Sequence, residues 1–211
     1  MPKTAPFDAY HERYEEWFDI NQAAYISELL ALRPFIPLGG NGIEVGVGSG
    51  RFAAPLGISI GIDPSSSMLS YAIARGIKGV MGTAEDLPFV DGSFDTAMVV
   101  TTICFVDSPD RMLAEIFRVL KPGGRVVIGF IDRESMIGQN YLTHQAESDF
   151  YRDAIFYSTD DVKKMLINLG FSITGLGQTL AHRLSETTEL EPVLPGSGKC
   201  AFVVIAAMKK E

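Results

Sequence analysis

"IEVGVGSGRF", residues 43–52, sets three glycines at alternate positions directly after an apolar run that itself carries an acidic residue, Glu44. Glycine has no Cβ, so the main chain can take positive φ there and a bound group can pack on bare backbone. The run before it reads as a short buried strand and the glycines as the turn that ends it. In doubly wound sheets ligands sit beyond the carboxyl ends of the strands, near the point where strand order reverses. A glycine turn after a first strand lies there.

Downstream, strands and helices alternate. "GISIGID" (57–63) predicts a second strand closing in Asp63. "PSSSMLSYAIARG" (64–76) predicts a helix opened by Pro64 and serine caps and closed by Gly76. "IKGVMG" (77–82) is a third strand, residues 95–101 a fourth and "RVVIGFI" (125–131) a fifth. Between the last two lies an amphipathic helix, "SPDRMLAEIFRVLK" (108–121), with Ser108 as cap and a stop at Pro122-Gly123-Gly124. Residues 132–157 are irregular or helical and rich in aromatics, and 158–170 predict a capped helix. "FSITGLGQTL" (171–180) and "KCAFVVIAAM" (199–208) close the chain as strands with no helix between them. They should pair antiparallel, since a hairpin joins only antiparallel neighbours. Upstream, residues 7–32 predict one helix, with Tyr10, Tyr14, Trp17 and Phe18 recurring at spacings of three and four. The alternation means βαβ units, hence an α/β fold: a doubly wound, seven-stranded, mostly parallel sheet with an antiparallel final strand.

The 211 residues are 46% hydrophobic and 21% charged, enough apolar material for one sizeable core. A formal net charge of −8 argues against nucleic acid as the main partner. Cys104 and Cys200 stand far apart, in no metal-ligand or disulfide spacing, and are expected to be ordinary buried thiols. No metal site is evident. The longest apolar stretch, "AMVVTTICFV", runs ten residues, half of the roughly 20 that a membrane span needs. No membrane role and no signal peptide are expected, and a cytoplasmic location is.

The residues alone leave several readings of the glycine turn open. "GSGRFA" (48–53) spells the dinucleotide pattern G-x-G-x-x-A, yet Gly46, Gly48 and Gly50 spell G-x-G-x-G equally well. Asp63 follows Gly48 by 15 residues, early for the roughly 20 usual in dinucleotide sites. A carboxylate at that strand end can accept both ribose hydroxyls of an adenosine, cap the next helix, or do both.

Four motifs, in order, narrow the choice: "EVGVGSG" (44–50), "GIDPSSSML" (61–69), "GTAEDLPFVDGSFDTAMVVTTICFV" (82–106) and "AEIFRVLKPGGRVVIG" (114–129). Together they resemble the class I S-adenosylmethionine-dependent methyltransferases, in the branch that includes the ubiquinone/menaquinone C-methyltransferases. The resemblance implies a Rossmann-like sheet and S-adenosylmethionine as cofactor, with S-adenosylhomocysteine as product. It implies a single methyltransferase domain over 1–211: an N-terminal helical lid at 1–38, a cofactor-binding core at 41–131, an insertion over the substrate at 132–157, and a C-terminal helix with two strands at 158–211.

By the same resemblance, Gly46 and Gly48 let the methionine part of the cofactor lie over the turn, and Glu44 holds its amino group indirectly. Asp63 binds the ribose, Pro64 and Met68 flank the adenine, and Thr83, Ala84 and Glu85 meet its edge. Thr101 offers a backbone carbonyl to the methionine ammonium. Thr83 stands where many relatives carry an aspartate. The Y-x-x-W-F element of related enzymes makes Tyr14 the candidate for the methyl-transfer centre, with Tyr10, Trp17, Phe105, Tyr151 and Phe156 lining the acceptor's pocket and Tyr141 and Phe150 in the lid.

Methyl transfer from a sulfonium is an in-line displacement from an already activated leaving group, so the enzyme's task is chiefly positioning. His11, His144 and His182 form no recognisable constellation, so no general base is evident. The acceptor is read as a small molecule. Two alternatives stay open: an NAD(P)-dependent oxidoreductase, for which no Tyr-x-x-x-Lys element is found, and a methyltransferase-like module that binds cofactor without catalysis.

Overall fold

The computed structural model describes residues 3–210. Met1, Pro2 and Glu211, which the expected segments 1–38 and 158–211 include, lie outside the described residues. Four parallel pairings build one half of the sheet: β1 (Gly42–Val45) lies between β2 (Ile60–Asp63) and β4 (Phe94–Val100), β3 (Lys78–Met81) flanks β2, and β5 (Leu120–Ile131) flanks β4. Two further strands complete the body: β8 (Phe202–Lys209) inserts antiparallel between β5 and β6 (Phe171–Thr179). With a short edge strand, β7 (Leu194–Pro195), the full order is β3-β2-β1-β4-β5-β8-β6-β7, so order reverses between β1 and β4. The glycine turn after β1 and the end of β4 therefore open side by side.

The sheet is eight-stranded among the described residues, one strand more than expected. The addition is β7 (Leu194–Pro195), two residues that pair with Gly177 and Gln178 at the edge. Proline has no N–H to offer the ladder and is tolerated only at such an edge, so nothing in the sequence pattern marks it. The segment Lys121–Gly124 also departs from expectation. It bulges out of β5 instead of ending the preceding helix, because Phe94 pairs with Leu120 while Thr96 pairs with Arg125.

Side chains alternate across the strands and feed two cores. On one face Ile43, Val45, Ala97 and Val99 pack under α6 (Pro109–Val119) and α8 (Thr159–Asn168), which contribute Leu113, Ile116, Val162 and Leu166. On the other, Met98, Val100, Phe202 and Val204 pack under α3 (Gln22–Leu32), α4 (Ala53–Leu56) and α5 (Ser66–Ala74). Burial of each large apolar side chain contributes roughly 1.5–3 kcal/mol. The caps fall where the sequence puts them: Ser65 accepts from the Met68 N–H, Ser108 from Arg111, and Ser158 and Asp161 form a capping box.

The predicted front helix is three. α1 (Ala5–Ala9), α2 (His11–Ile20) and α3 are separated at Tyr10 and Asn21, whose ψ values of 31° and 40° leave the helical region. The segment wraps around the mouth of the sheet, which a straight rod could not do. Glu15 of α2 bonds Arg51, at 3.0 Å, and Arg75, tying α2 to the glycine turn and to the C-terminal end of α5. Within 132–157 the one α-helix is α7 (Met136–Thr143). Cys104 and Cys200 are free and buried, as expected. No helix among the described residues is long and apolar enough to cross a membrane.

Candidate active site

A cavity of about 380 Å³ opens where β1 and β4 end, within the roughly 300–1,000 Å³ range of small-ligand pockets. Its floor is the glycine turn. Gly46 has φ +73° and Gly48 φ +50°. The Gly46 N–H donates to the Ile62 carbonyl at 2.8 Å and the Gly48 N–H to one Asp63 carboxylate oxygen at 2.8 Å. The other Asp63 oxygen takes the Ser65 N–H at 2.9 Å. Each carboxylate oxygen accepts two bonds, so Asp63 keeps one open site on each oxygen, at the cavity wall. Burial pushes the Asp63 carboxyl above the usual aspartate range, against the pull of its two N–H donors.

Pro64, Met68, Ala84 and Glu85 continue the floor. Glu85 also closes a turn, accepting the Asp107 N–H at 2.8 Å. Thr101 at the end of β4 carries φ +50°, a left-handed backbone that disfavours a β-branched residue. Such strain persists only where surrounding structure enforces it, commonly at functional sites. Its carbonyl accepts the Cys104 thiol at 3.3 Å.

Aromatic rings make the walls. Tyr14 reaches down from α2 until its hydroxyl lies 3.9 Å from where a Cβ on Gly48 would stand, and that hydroxyl has no hydrogen-bond partner among the described residues. Burial, with the charges of Glu44, Asp63, Glu15 and Glu28, holds the Tyr14 phenol far above its ordinary range, so it is a neutral donor. Phe7 of α1 contacts Phe105 edge-on at 5.0 Å and Phe150 at 5.4 Å. Tyr151 stacks on Phe105 at 5.7 Å and on Tyr141 at 4.7 Å. Arg13 pairs with Asp149 at 2.8 Å. Front helices and insertion thus meet across the mouth.

Twelve of the sixteen residues proposed from sequence line this cavity; four do not. Glu44 lies beneath the floor, fully buried and with one oxygen unpartnered, so it can act only through the turn. Thr83 is absent from the lining, and its backbone bridges to that of Asp86. Tyr10 is 44% exposed because the helix breaks there. Phe156 is buried behind Tyr151, in a separate small cavity. None of the three histidines lines the main cavity. The sequence reading missed Phe7, Arg13 and above all Glu28. Glu28 was visible as the one charge in "ISELLAL", on the face shared by Ala24, Ala31 and Leu32. Burial pushes its carboxyl up to about 8.

The family described as "Methyltransferase domain" matches residues 43–128, which carry the floor. A crystal structure of a Thermotoga maritima protein, described as an S-adenosylmethionine-dependent methyltransferase and possible histamine N-methyltransferase, superposes with TM-score 0.95 at 46% identity, covering 98% of this chain and 100% of that one. The chain belongs to the S-adenosylmethionine-dependent methyltransferases. An uncharacterized protein of Methanocaldococcus jannaschii is 44% identical over 96% of this chain and 98% of its own. The demethylmenaquinone methyltransferase of Symbiobacterium thermophilum is more distant, 34% identical over 57% of this chain and 55% of that one.

The site of this methyltransferase fits the family's cofactor. Its bare turn leaves room over Gly48, where an added Cβ would find only the Met68 and Tyr14 tips. The two open acceptor positions on Asp63 match the paired hydroxyls of a ribose. S-adenosylmethionine, when bound, supplies a methyl group already activated on a sulfonium.

Proposed function

We propose that the protein transfers a methyl group from S-adenosylmethionine to a small-molecule acceptor. One observation carries this reading: the cavity that holds Gly48 and Asp63 is also walled by the rings of Tyr14, Trp17, Phe105, Tyr141 and Tyr151, with room for a small molecule beside the cofactor. Asp63 takes the ribose hydroxyls, the Gly46–Gly48 turn lies under the amino-acid part, and Ala84 and Glu85 border the base. Glu44 stiffens the turn from below. The rings of Tyr14, Phe105 and Tyr151 suit a sulfonium, whose positive charge ring faces attract, and by closing over the site they keep water out. Tyr14, as a neutral phenol, orients the reacting groups and does not remove a proton. The two buried free thiols accord with a reducing, cytoplasmic setting.

Two measurements test this. In a thermal shift experiment, S-adenosylhomocysteine at a hundred times its dissociation constant stabilises the fold by about 2.7 kcal/mol, a rise of roughly 5–10 °C for a chain of this size. NAD(H) and NADP(H) give none. A clear response to the nicotinamide cofactors with none to the adenosyl compounds would restore the oxidoreductase alternative. A screen of small acceptors with methyl-labelled S-adenosylmethionine then separates an enzyme from a binding module.

Tyr14→Phe tests the wall. The variant keeps its affinity for S-adenosylhomocysteine within about threefold and loses on the order of tenfold in kcat, the worth of one positioning hydrogen bond. Amides of α2 gain exchange protection when ligands fill the cavity. Unchanged turnover would leave Tyr14 with a packing role only.

A further inference from the structure

Glu28 sits on the inward face of α3, 4% exposed, while Leu30 two positions on is 46% exposed. The helix therefore turns an acid in and a leucine out. Its carboxyl lines the cavity and, among the described residues, makes no hydrogen bond and no ion pair. The cavity's other buried carboxylate, Asp63, is held by two backbone N–H groups, and the cation Arg13 is taken by Asp149. Glu28 alone is both buried and unmatched. An unpaired buried carboxyl costs several kcal/mol of solvation if charged and is forced towards neutrality if not. Nothing in the packing of α3 requires one, and a leucine or methionine would fill the place.

Its neighbours complete the picture. The Glu28 charge opposes ionisation of Tyr14, Tyr141 and Tyr151, phenols from α2, α7 and the segment after it that all line the cavity. A buried carboxyl that shares a cavity with aromatic rings suits a compact cation: one charge to pair with and π-faces to replace water. We infer that Glu28 anchors the methyl acceptor and that the acceptor presents a cationic nitrogen to it, an ammonium or a protonated nitrogen heterocycle. The inference rests on the methyl-transfer reading and names the acceptor class for it. A cation seated there draws the carboxyl into its charged form. Glu28 can then also take the one proton that such a nitrogen must shed: the N–H bond breaks, an O–H bond forms, and the electron pair stays on nitrogen, free to react.

The test is binding, by calorimetry at pH 6.5, to wild type and Glu28→Gln. S-adenosylhomocysteine and S-adenosylmethionine are titrated first. With S-adenosylhomocysteine saturating, benzylamine and 2-phenylethylamine are compared with their uncharged isosteres, benzyl alcohol and 2-phenylethanol. Expected are donor affinities unchanged within about twofold in the variant, at least one amine bound tenfold or more tighter by wild type than by Glu28→Gln, and no such difference for the alcohols. The ligand-free variant melts at the same temperature or higher, since an isosteric amide replaces a carboxyl that must take up a proton to stay buried without a partner.

Equal binding of amine by both proteins, failure of both amines to bind, or alcohols bound as well as amines would overturn the inference while leaving methyl transfer standing. Weakened S-adenosylmethionine with unchanged S-adenosylhomocysteine would move Glu28 to the sulfonium. Both weakened together would move it to the donor's amino group. Either outcome overturns an acceptor anchor, as does a clear fall in melting temperature, which would make Glu28 structural. Wild type that binds neither adenosyl compound would overturn the methyl-transfer reading and this inference with it.

Discussion

Gly46→Val is expected to abolish measurable binding of S-adenosylhomocysteine and to cost the fold roughly 2–5 kcal/mol. Two causes add. The residue holds φ +73°, a left-handed backbone costing a non-glycine residue about 1–2 kcal/mol and a β-branched one more. A Cβ there would also stand 2.3 Å from both Oγ1 and Cγ2 of Thr102. That side chain is not free to swing away, because its one hydroxyl hydrogen is shared between the Gly46 carbonyl at 3.2 Å and the Val100 carbonyl at 3.0 Å. Forcing atoms into such a space costs roughly 1–3 kcal/mol. The causes separate experimentally. Gly46→Ala combined with Thr102→Ala relieves the clash and leaves the φ penalty, so its stability in urea should fall between wild type and Gly46→Val. Wild-type affinity in the valine variant would mean that the floor of the site is elsewhere.

Asp63→Ala is expected to weaken S-adenosylhomocysteine about ten- to hundredfold, the equivalent of a charge-assisted contact of roughly 1.5–3 kcal/mol. The fold survives but loses on the order of 1–3 kcal/mol, because the buried N–H groups of Gly48 and Ser65 lose their acceptor. Asp63→Asn, which keeps one acceptor oxygen, should fall between. The sign of the pH dependence follows from burial. The ribose hydroxyls donate to the charged carboxylate, so protonation competes with binding. Since burial lifts this carboxyl, affinity is present at neutral pH and fades on acidification before an ordinary aspartate would titrate. Calorimetry across the acid range checks this, and flat affinity in wild type alongside an unaffected Asp63→Ala would reduce Asp63 to a helix cap.

What was legible in the sequence was what local chemistry dictates. The glycines of 46–50 declared a turn that needs positive φ, and the serine caps declared the starts of α5, α6 and α8. Position 63 could be placed at the cavity because it closes the strand beside the glycine turn. The failures share a cause, in that tertiary packing chose between locally equal options. Residues 7–32 are periodic enough for one helix, and only the need to wrap the cavity breaks them at Tyr10 and Asn21. That break turns Tyr10 outward. Phe156 was one aromatic among several in the insertion, and no periodicity told which ring would face the cavity. Thr83 followed from the motif, yet it does not line the cavity. Glu28 was overlooked because an acid in a helical run is ordinarily solvated; the signal was its phase relative to Ala24 and Ala31, which becomes decisive only once the inward face of α3 is known.

The floor of the cavity and, apart from Phe105, its aromatic walls come from different stretches of chain. The floor lies within residues 43–128, the part that matches the family, while Phe7, Tyr14, Glu28, Tyr141 and Tyr151 all come from outside it. The two parts meet where Phe7 and Tyr151 contact Phe105, and through the ion pairs of Glu15 with Arg51 and Arg75. Such a protein resembles a lathe with a fixed spindle and an exchangeable chuck. On the proposed function, substitutions in the flanks would re-aim the methyl group at new partners while the floor keeps its hold on the donor, so one inherited spindle would serve many trades.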